Sequence, residues 1–317
     1  MSFTVKVIDL KFLYIVIKKL VGVCGVIEIR FREDEKKLGV LQRQIQKRRQ
    51  RRYRCRQIYR ELLQEEIIVM ELPCTYEEGE RLGREWFEQC LFRVRELYSR
   101  QLVYFTEEVC RKFHLAEYKK QWLCWYCLFP ELWEASMERL GLDSRSVDVV
   151  YVDNGQKIDP YFVREIALRV RRMLIITKRR ECWQELSEQL SEETGMFLEL
   201  QEEFDAICRE RVIVDFCGTY LSKYPKWAEE NWVIAWGMNG YQREHLQSRT
   251  RQKRVVDGFS QSIRGEKISS RMAAVYMQSQ HWKLRELADT QESCWRWEEL
   301  EKIRENYDWK LEAVEVV

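Results

Sequence analysis

The residues best suited to chemistry follow apolar runs in the C-terminal half of the chain. Runs 147–152, 173–177 and 212–216 are rich in Val and Ile, which is typical of buried strands. If these strands are parallel, they end at one edge of a sheet, where ligands of α/β proteins bind. The polar and glycine residues at this edge predict a cleft for a nucleotide or a phosphorylated small molecule. They are Asp153, Asn154, Gly155, Thr177, Lys178, Asp215 and Gly218.

No catalytic or cofactor motif accompanies these candidates. A dinucleotide fingerprint places three glycines in the first strand–helix turn, whereas the turn after Val152 contains only Gly155. A phosphatase of the haloacid dehalogenase type needs a second Asp two residues after Asp153, and that position is also Gly155. The chain has no G-x-x-x-x-G-K-S/T loop, and its three His residues are isolated from any nucleophile. We therefore expect no catalytic residues and no cofactor, and the pattern favours a non-enzymatic protein.

One cysteine pair has the spacing of a metal or redox half-site. Cys124 and Cys127 lie in an aromatic segment, and no second pair or His follows at zinc-site spacing. Residues three apart share one face of a helix. We therefore interpret both thiols as core side chains, and we expect no metal site.

A run of basic residues is the most unusual local feature. Nine Lys and Arg residues and no acid lie between Leu41 and Arg60, and no apolar residue lies between Ile45 and Tyr53. A helix that is polar on every face cannot lie against a core along that length. Such a helix is suited to nucleic acid or to an acidic protein surface, and a solvated helix face is the third alternative. The candidate nucleic-acid contacts are Lys47, Arg48, Arg49, Arg51, Arg52, Arg54 and Arg56.

The elements that position these residues form an α/β fold. From residue 147 to 237, five apolar runs alternate with helical segments, which predicts a parallel sheet flanked by helices. In this alternation the segment resembles a Rossmann-like domain that lacks the phosphate-binding glycines. We expect a helix-rich α+β region over residues 1–145, with a long basic helix at about 34–66. A Rossmann-like domain with a helical C-terminal extension would follow over 146–317.

Composition limits the remaining choices. The 317 residues carry 54 basic and 52 acidic side chains, so the near-zero net charge excludes a polyanion binder that works by bulk charge. The eleven Cys lie mostly in apolar or helical runs, which predicts a reducing, cytoplasmic location. No apolar run is long enough to span a membrane, and no membrane partner is expected.

Three functions stay open on the sequence. The first is a regulatory or scaffold protein without enzymatic activity. The second is a nucleic-acid-binding protein that acts through residues 41–60. The third is an enzyme or sensor that binds a nucleotide or a phosphorylated small molecule at the strand ends. Self-association is a further open alternative.

Overall fold

The computed structural model describes residues 25–32, 40–99, 101–113, 122–203, 211–224, 230–238, 242, 254–290 and 297–316. The chain forms two compact units. Unit 1 comprises Met1–Lys119 and Arg271–Arg285, and unit 2 comprises Lys120–Ser270 and Glu286–Val317. Both contain a largely parallel sheet with interleaved helices, so the predicted α/β class is confirmed. The domain boundary that the sequence predicts after residue 145 stays a prediction.

Unit 1 is built on a four-stranded sheet. Its strands are β1 (Val26–Arg30), β2 (Arg56–Leu62), β3 (Glu65–Glu71) and β4 (Leu102–Phe105). Their order is β2-β3-β1-β4, with β1 parallel to both β3 and β4, and with β2 antiparallel to β3 at one edge. The described residues in the first segment of this unit form the helices α1 (Val40–Arg51), α2 (Tyr76–Leu97) and α3 (Glu107–Lys112).

Thr75 and Glu78 have the spacing of a capping box, which predicts that a helix begins after Thr75, and α2 begins there. The Thr75 hydroxyl accepts a hydrogen bond from the Glu78 N–H, and the Glu78 carboxylate accepts one from the Thr75 N–H. The apolar side of the helix packs on alternate residues of β1, because successive side chains of a strand point to opposite faces. Ile27, Ile29 and Phe87 are fully buried in this core.

The long basic helix predicted for about 34–66 is wrong in its extent. In the described part of the segment, α1 ends at Arg51, and residues 56–62 form β2 instead. Tyr53 adopts a left-handed φ of 52°, and the Arg54 N–H donates to the Arg49 carbonyl, so the helix closes without the glycine that usually marks such an end. Tyr53 and Cys55 then pack on the core of unit 1. This tertiary packing overrides the helical pattern of the basic residues.

Unit 2 contains the sheet that positions the predicted cleft. Its strands are β5 (Asp148–Val152), β6 (Arg172–Ile176), β7 (Leu198–Gln201), β8 (Val212–Val214), β9 (Trp232–Ile234), β10 (Val255–Ile263), β11 (Glu266–Ile268) and β12 (Lys310–Val316). The order is β11-β10-β9-β8-β5-β6-β7, and the neighbours from β7 through β10 are all parallel. Strand β12 pairs antiparallel with β10; the pattern of Leu311, Val314 and Val316 is compatible with a helix end or a strand, and the structure has the strand.

Several helices of unit 2 lie within the described residues. They are α4 (Trp122–Cys127), α5 (Phe129–Leu140), α6 (Asp159–Ala167), α7 (Glu181–Thr194), α8 (Thr219–Lys223) and, near the C-terminus, α11 (Trp297–Asn306). The second segment of unit 1, Arg271–Arg285, lies within two consecutive helices, α9 (Ser270–Gln280) and α10 (Trp282–Thr290). A glycine after a helical run predicts the end of the helix, and α5 and α7 end in this way, at Gly141 and Gly195 in the left-handed conformation.

Two further expectations concern side-chain burial and membranes. Cys124 and Cys127 are both buried in α4, as expected for core side chains. None of the helices within the described ranges combines the length and the apolar character that crossing a membrane requires.

Candidate functional site

The carboxyl ends of β5 and β6 meet in a buried ion pair. Arg179 donates from Nε to Asp153 Oδ2 at 3.0 Å and from Nη2 to Asp153 Oδ1 at 2.5 Å. The Thr177 hydroxyl donates to Asp153 Oδ2 at 2.5 Å, and the Gly155 N–H donates to Oδ1 at 2.8 Å. The indole N–H of Trp183 lies 3.3 Å from the same carboxylate. Internal donors therefore occupy both oxygens of Asp153, whose side chain is only 2% exposed.

A second carboxyl group belongs to the same network. Asp159 Oδ1 accepts a hydrogen bond from the Tyr151 hydroxyl at 2.8 Å, and its Oδ2 accepts one from the Gln156 N–H at 2.8 Å. The Arg179 guanidinium lies 3.6 Å from Oδ2, so one arginine serves two buried acids.

The two carboxyl groups have opposite pKa shifts. Burial acts to raise the pKa of Asp153, but hydrogen bonds from Arg179, Thr177 and Gly155 outweigh it and hold this pKa well below its usual range. Burial raises the pKa of Asp159 to about 7, and the neighbouring Asp153 adds to the rise, against the hydrogen bonds from Gln156 and Tyr151. These opposite shifts favour a negative charge on Asp153 over one on Asp159.

The other predicted cleft residues have mostly local roles. The fully buried Asp215 accepts hydrogen bonds from the Tyr220 and Leu221 N–H groups, at 2.8 and 3.1 Å, and so caps the start of α8. Asn154 donates to the Val152 carbonyl at 3.0 Å. A Cβ on Gly218 would lie 2.6 Å from Cγ of Met238, whereas the space next to Gly155 is open. Lys178 is exposed.

Aromatic rings pack where β8 and β9 end. Phe216 and Trp236 follow these two strands and stack with ring centroids 4.8 Å apart. Trp125 of α4 and Phe162 of α6 lie 5.3 and 5.1 Å from Phe216, and all four side chains are buried. A Cβ on Gly237 would lie 2.5 Å from the Trp125 ring, so this strand-end glycine makes room for an indole of the chain itself. Buried aromatic side chains thus occupy the place that a ligand takes in open α/β sheets.

The structure brings two of the predicted residues, Asp153 and Thr177, into contact. Their network also includes four residues that the sequence pattern did not indicate: Tyr151, Asp159, Arg179 and Trp183. One feature of the sequence could have indicated the Asp153–Arg179 pair: the acid follows β5 and the arginine follows β6, and these two strands are parallel neighbours. A catalytic site would have a nucleophile next to a base with a free lone pair. In this network both oxygens of the Asp153 carboxylate accept hydrogen bonds, and the arginine that pairs with it is partly exposed. This geometry is suited to joining β5 to β6.

A groove with a volume of about 830 Å³ lies at the opposite, amino ends of β6 and β7. Leu168, Arg171, Arg172 and Phe197 line it. The Phe197 ring is exposed, and Arg171 pairs with Asp148 at 2.9 Å. None of the predicted site residues belongs to this groove.

The second candidate site is the basic segment, which we define as residues 47–54 at the end of α1 and in the following turn. The Trp86 indole donates to the Gln50 carbonyl at 3.1 Å, and the Gln50 side chain donates to Glu78 at 3.1 Å. Together with the packing of Tyr53, these contacts hold the segment against α2.

The cations of the basic segment point away from these contacts. Lys47, Arg48, Arg51, Arg52 and Arg54 are exposed, and Arg49 is half-buried. In the part of the chain that the structure describes, none of these six side chains forms an ion pair. Six neighbouring cations that form no ion pair with a described residue repel one another, and a polyanion would relieve that repulsion.

The seventh predicted contact, Arg56, differs from the other six. It lies 3.8 Å from the buried Glu71, which also pairs with Arg30 at 2.9 Å. Arg60, four residues further along the chain and on the same face of β2, lies 2.6 Å from the buried Glu28. Because buried acids of unit 1 already neutralise these two arginines, the available positive charge ends at Arg54.

A scan against protein-family models and a search of curated proteins both gave no match to this chain.

Proposed function

We propose that this protein is a non-enzymatic nucleic-acid-binding protein that contacts the phosphate backbone through the basic segment. The supporting observation is the set of six cations at 47–54, which carry no ion pair among the described residues and which Gln50 and Tyr53 hold in place. The net charge of the whole chain is only +2, so attraction to a polyanion would come from this local cluster.

We also propose that the sheet of unit 2 is a degenerate Rossmann-like domain that serves as a rigid scaffold. The order β7-β6-β5-β8-β9-β10 corresponds to 3-2-1-4-5-6 in chain order, which is the order of dinucleotide-binding sheets. The internal contacts of Asp153 and Asp215, and the rings packed around Phe216, favour a structural role over the binding of a nucleotide there.

The test compares two variants that remove the same charge. The first changes Arg48, Arg49, Arg51 and Arg52 to Gln. The control changes Arg81, Arg84, Arg93 and Arg95, which are exposed on α2, to Gln. Both lower the net charge from +2 to −2, but Arg84 and Arg93 already pair with glutamates.

Fluorescence anisotropy with labelled 20-nucleotide DNA, single-stranded and duplex, would give the affinity at 50 and 200 mM KCl. With six phosphate contacts, the affinity of the natural chain for duplex should fall about 1,000-fold between these concentrations. The first variant should lose at least about tenfold at 50 mM and show a shallower salt slope, and the control should bind like the natural chain.

Equal losses in both variants, or no loss in the first, would overturn the proposal. Equal affinity for poly-glutamate of matched charge would also overturn it, because the segment would then bind anions without regard to the nucleic acid.

A further inference from the structure

Tyr59 is an exposed aromatic residue on the strand that follows the basic segment. It lies in the middle of β2, the edge strand of the unit 1 sheet, and its side chain is 51% exposed. The sheet face that carries Tyr59 is opposite to the one that carries Arg56 and Arg60, because alternate residues of a strand point to opposite sides. Tyr59 is therefore separate from the two arginines that pair with buried acids.

Hydrogen bonds hold this exposed ring in place. The Gln57 amide donates to the Tyr59 hydroxyl at 2.5 Å, and the Gln57 side-chain carbonyl accepts from the Tyr98 hydroxyl, at the end of α2, at 2.6 Å. An exposed side chain normally samples several rotamers, and ordering it on binding has an entropic cost. For Tyr59 part of that ordering is already present in the free protein.

A fixed, exposed ring that lies five residues after a cluster of exposed cations matches the requirements of one ligand class. Proteins that bind single-stranded nucleic acid combine a positively charged surface for the backbone with aromatic rings on which bases stack. In a duplex, the faces of the bases are already stacked on one another, so a ring such as Tyr59 has no base face to contact.

We infer that the basic segment binds single-stranded nucleic acid more tightly than duplex, with one base stacked on Tyr59 and the phosphates next to residues 47–54. This inference rests on the proposed function and adds the form of the nucleic acid to it. Tyr59 contributes ring contact to this complex, and the six cations contribute charge.

The test uses the full chain with Tyr59→Ala and, as the matched control, Tyr59→Phe, which keeps the ring and loses the hydroxyl. The probes are a 12-nucleotide single-stranded DNA and the same sequence as a duplex. Since stacking on one ring is worth about 1–3 kcal/mol, Tyr59→Ala should weaken single-strand binding about 5- to 150-fold. Tyr59→Phe should stay within about threefold of the natural chain, and the salt slope should be unchanged in both variants because neither removes a charge.

A second readout reports stacking directly. With 2-aminopurine placed at successive positions of the single strand, the natural chain and Tyr59→Phe should quench its fluorescence at one position, and Tyr59→Ala should not. Circular dichroism and the urea midpoint should show that Tyr59→Ala folds normally, since the ring is exposed.

The outcomes separate the two proposals. Salt-dependent binding that Tyr59→Ala leaves unchanged, or tighter binding of duplex than of single strand, would overturn the stacking inference and leave the proposed function standing. No binding of either probe by the natural chain at 50 mM KCl would overturn both.

Discussion

Removing the arginine that serves two buried acids should destabilise unit 2. In Arg179→Met, Asp153 loses two charge-assisted hydrogen bonds and Asp159 loses its nearest cation, whereas the methylene packing of the side chain is largely kept. Asp153 retains only the bonds from Thr177, Gly155 and Trp183.

The expected loss in the free energy of unfolding depends on how deeply the Asp153–Arg179 pair is buried. Breaking a buried ion pair by removing one partner reduces the free energy of unfolding by about 3–5 kcal/mol, because the other charge is left buried. Since the Arg179 side chain is 37% exposed, water can partly replace it, and we expect a loss near the lower limit, at about 3 kcal/mol. Adding Asp153→Asn removes the stranded charge and should recover most of this loss.

The measurement is a urea titration at pH 7, followed by tryptophan fluorescence. Trp183 contacts Asp153 and Thr177 directly, so the network contains its own reporter. The matched control is Arg164→Met, which breaks the exposed Arg164–Glu193 pair of the same unit and should lose less than about 1 kcal/mol.

Two results would refute the reasoning. One is a loss in Arg179→Met no larger than that in Arg164→Met. The other is a coupling energy near zero in the double-mutant cycle with Asp153→Asn, since residues in one hydrogen-bonded ion pair should couple by at least about 1 kcal/mol.

Two further changes test the same structure. Because the pKa of Asp159 is raised to about 7, its stabilising contribution is complete below about pH 4 and is lost as the pH rises through 7. Asp159→Asn should flatten this part of the stability profile, measured by urea titration from pH 4 to 8, and an unchanged profile would contradict the assignment. Leu63 and Gln64 form the β2–β3 turn with φ of 53° and 63°, where glycine is favoured, so Gln64→Gly should raise the unfolding free energy by about 1 kcal/mol. A urea midpoint below that of the natural chain would refute the strain at this turn.

Local patterns in the sequence correctly predicted several elements. The runs before Asp153, Thr177 and Asp215 are strands, and parallel pairing brings their ends to one edge, because buried parallel strands are apolar on both faces. The capping box at Thr75 and the stop at Gly141 were also predictable, since caps involve only residues close in the chain.

The end of the basic helix could not be predicted in this way. Residues 40–62 contain no glycine or proline, and the helix ends because Tyr53 and Cys55 find a core to pack against. The turn at Leu63 and Gln64 carries none of the usual turn residues either, so the β2–β3 hairpin has no local signature.

The order of residues along the chain shows which groups are available, namely acids and glycines after apolar strands and, at 41–60, a run of cations without an acid. What those groups do depends on the tertiary structure. It pairs Asp153 with Arg179, which lies 26 residues away, and it packs Trp125 against Gly237. Among the described residues, none forms an ion pair with the cations at 47–54, whereas Arg56 and Arg60 pair with buried glutamates. The physical reason is that ion pairing and burial depend on distances in space. Strand order and register set these distances, and the local sequence does not encode them.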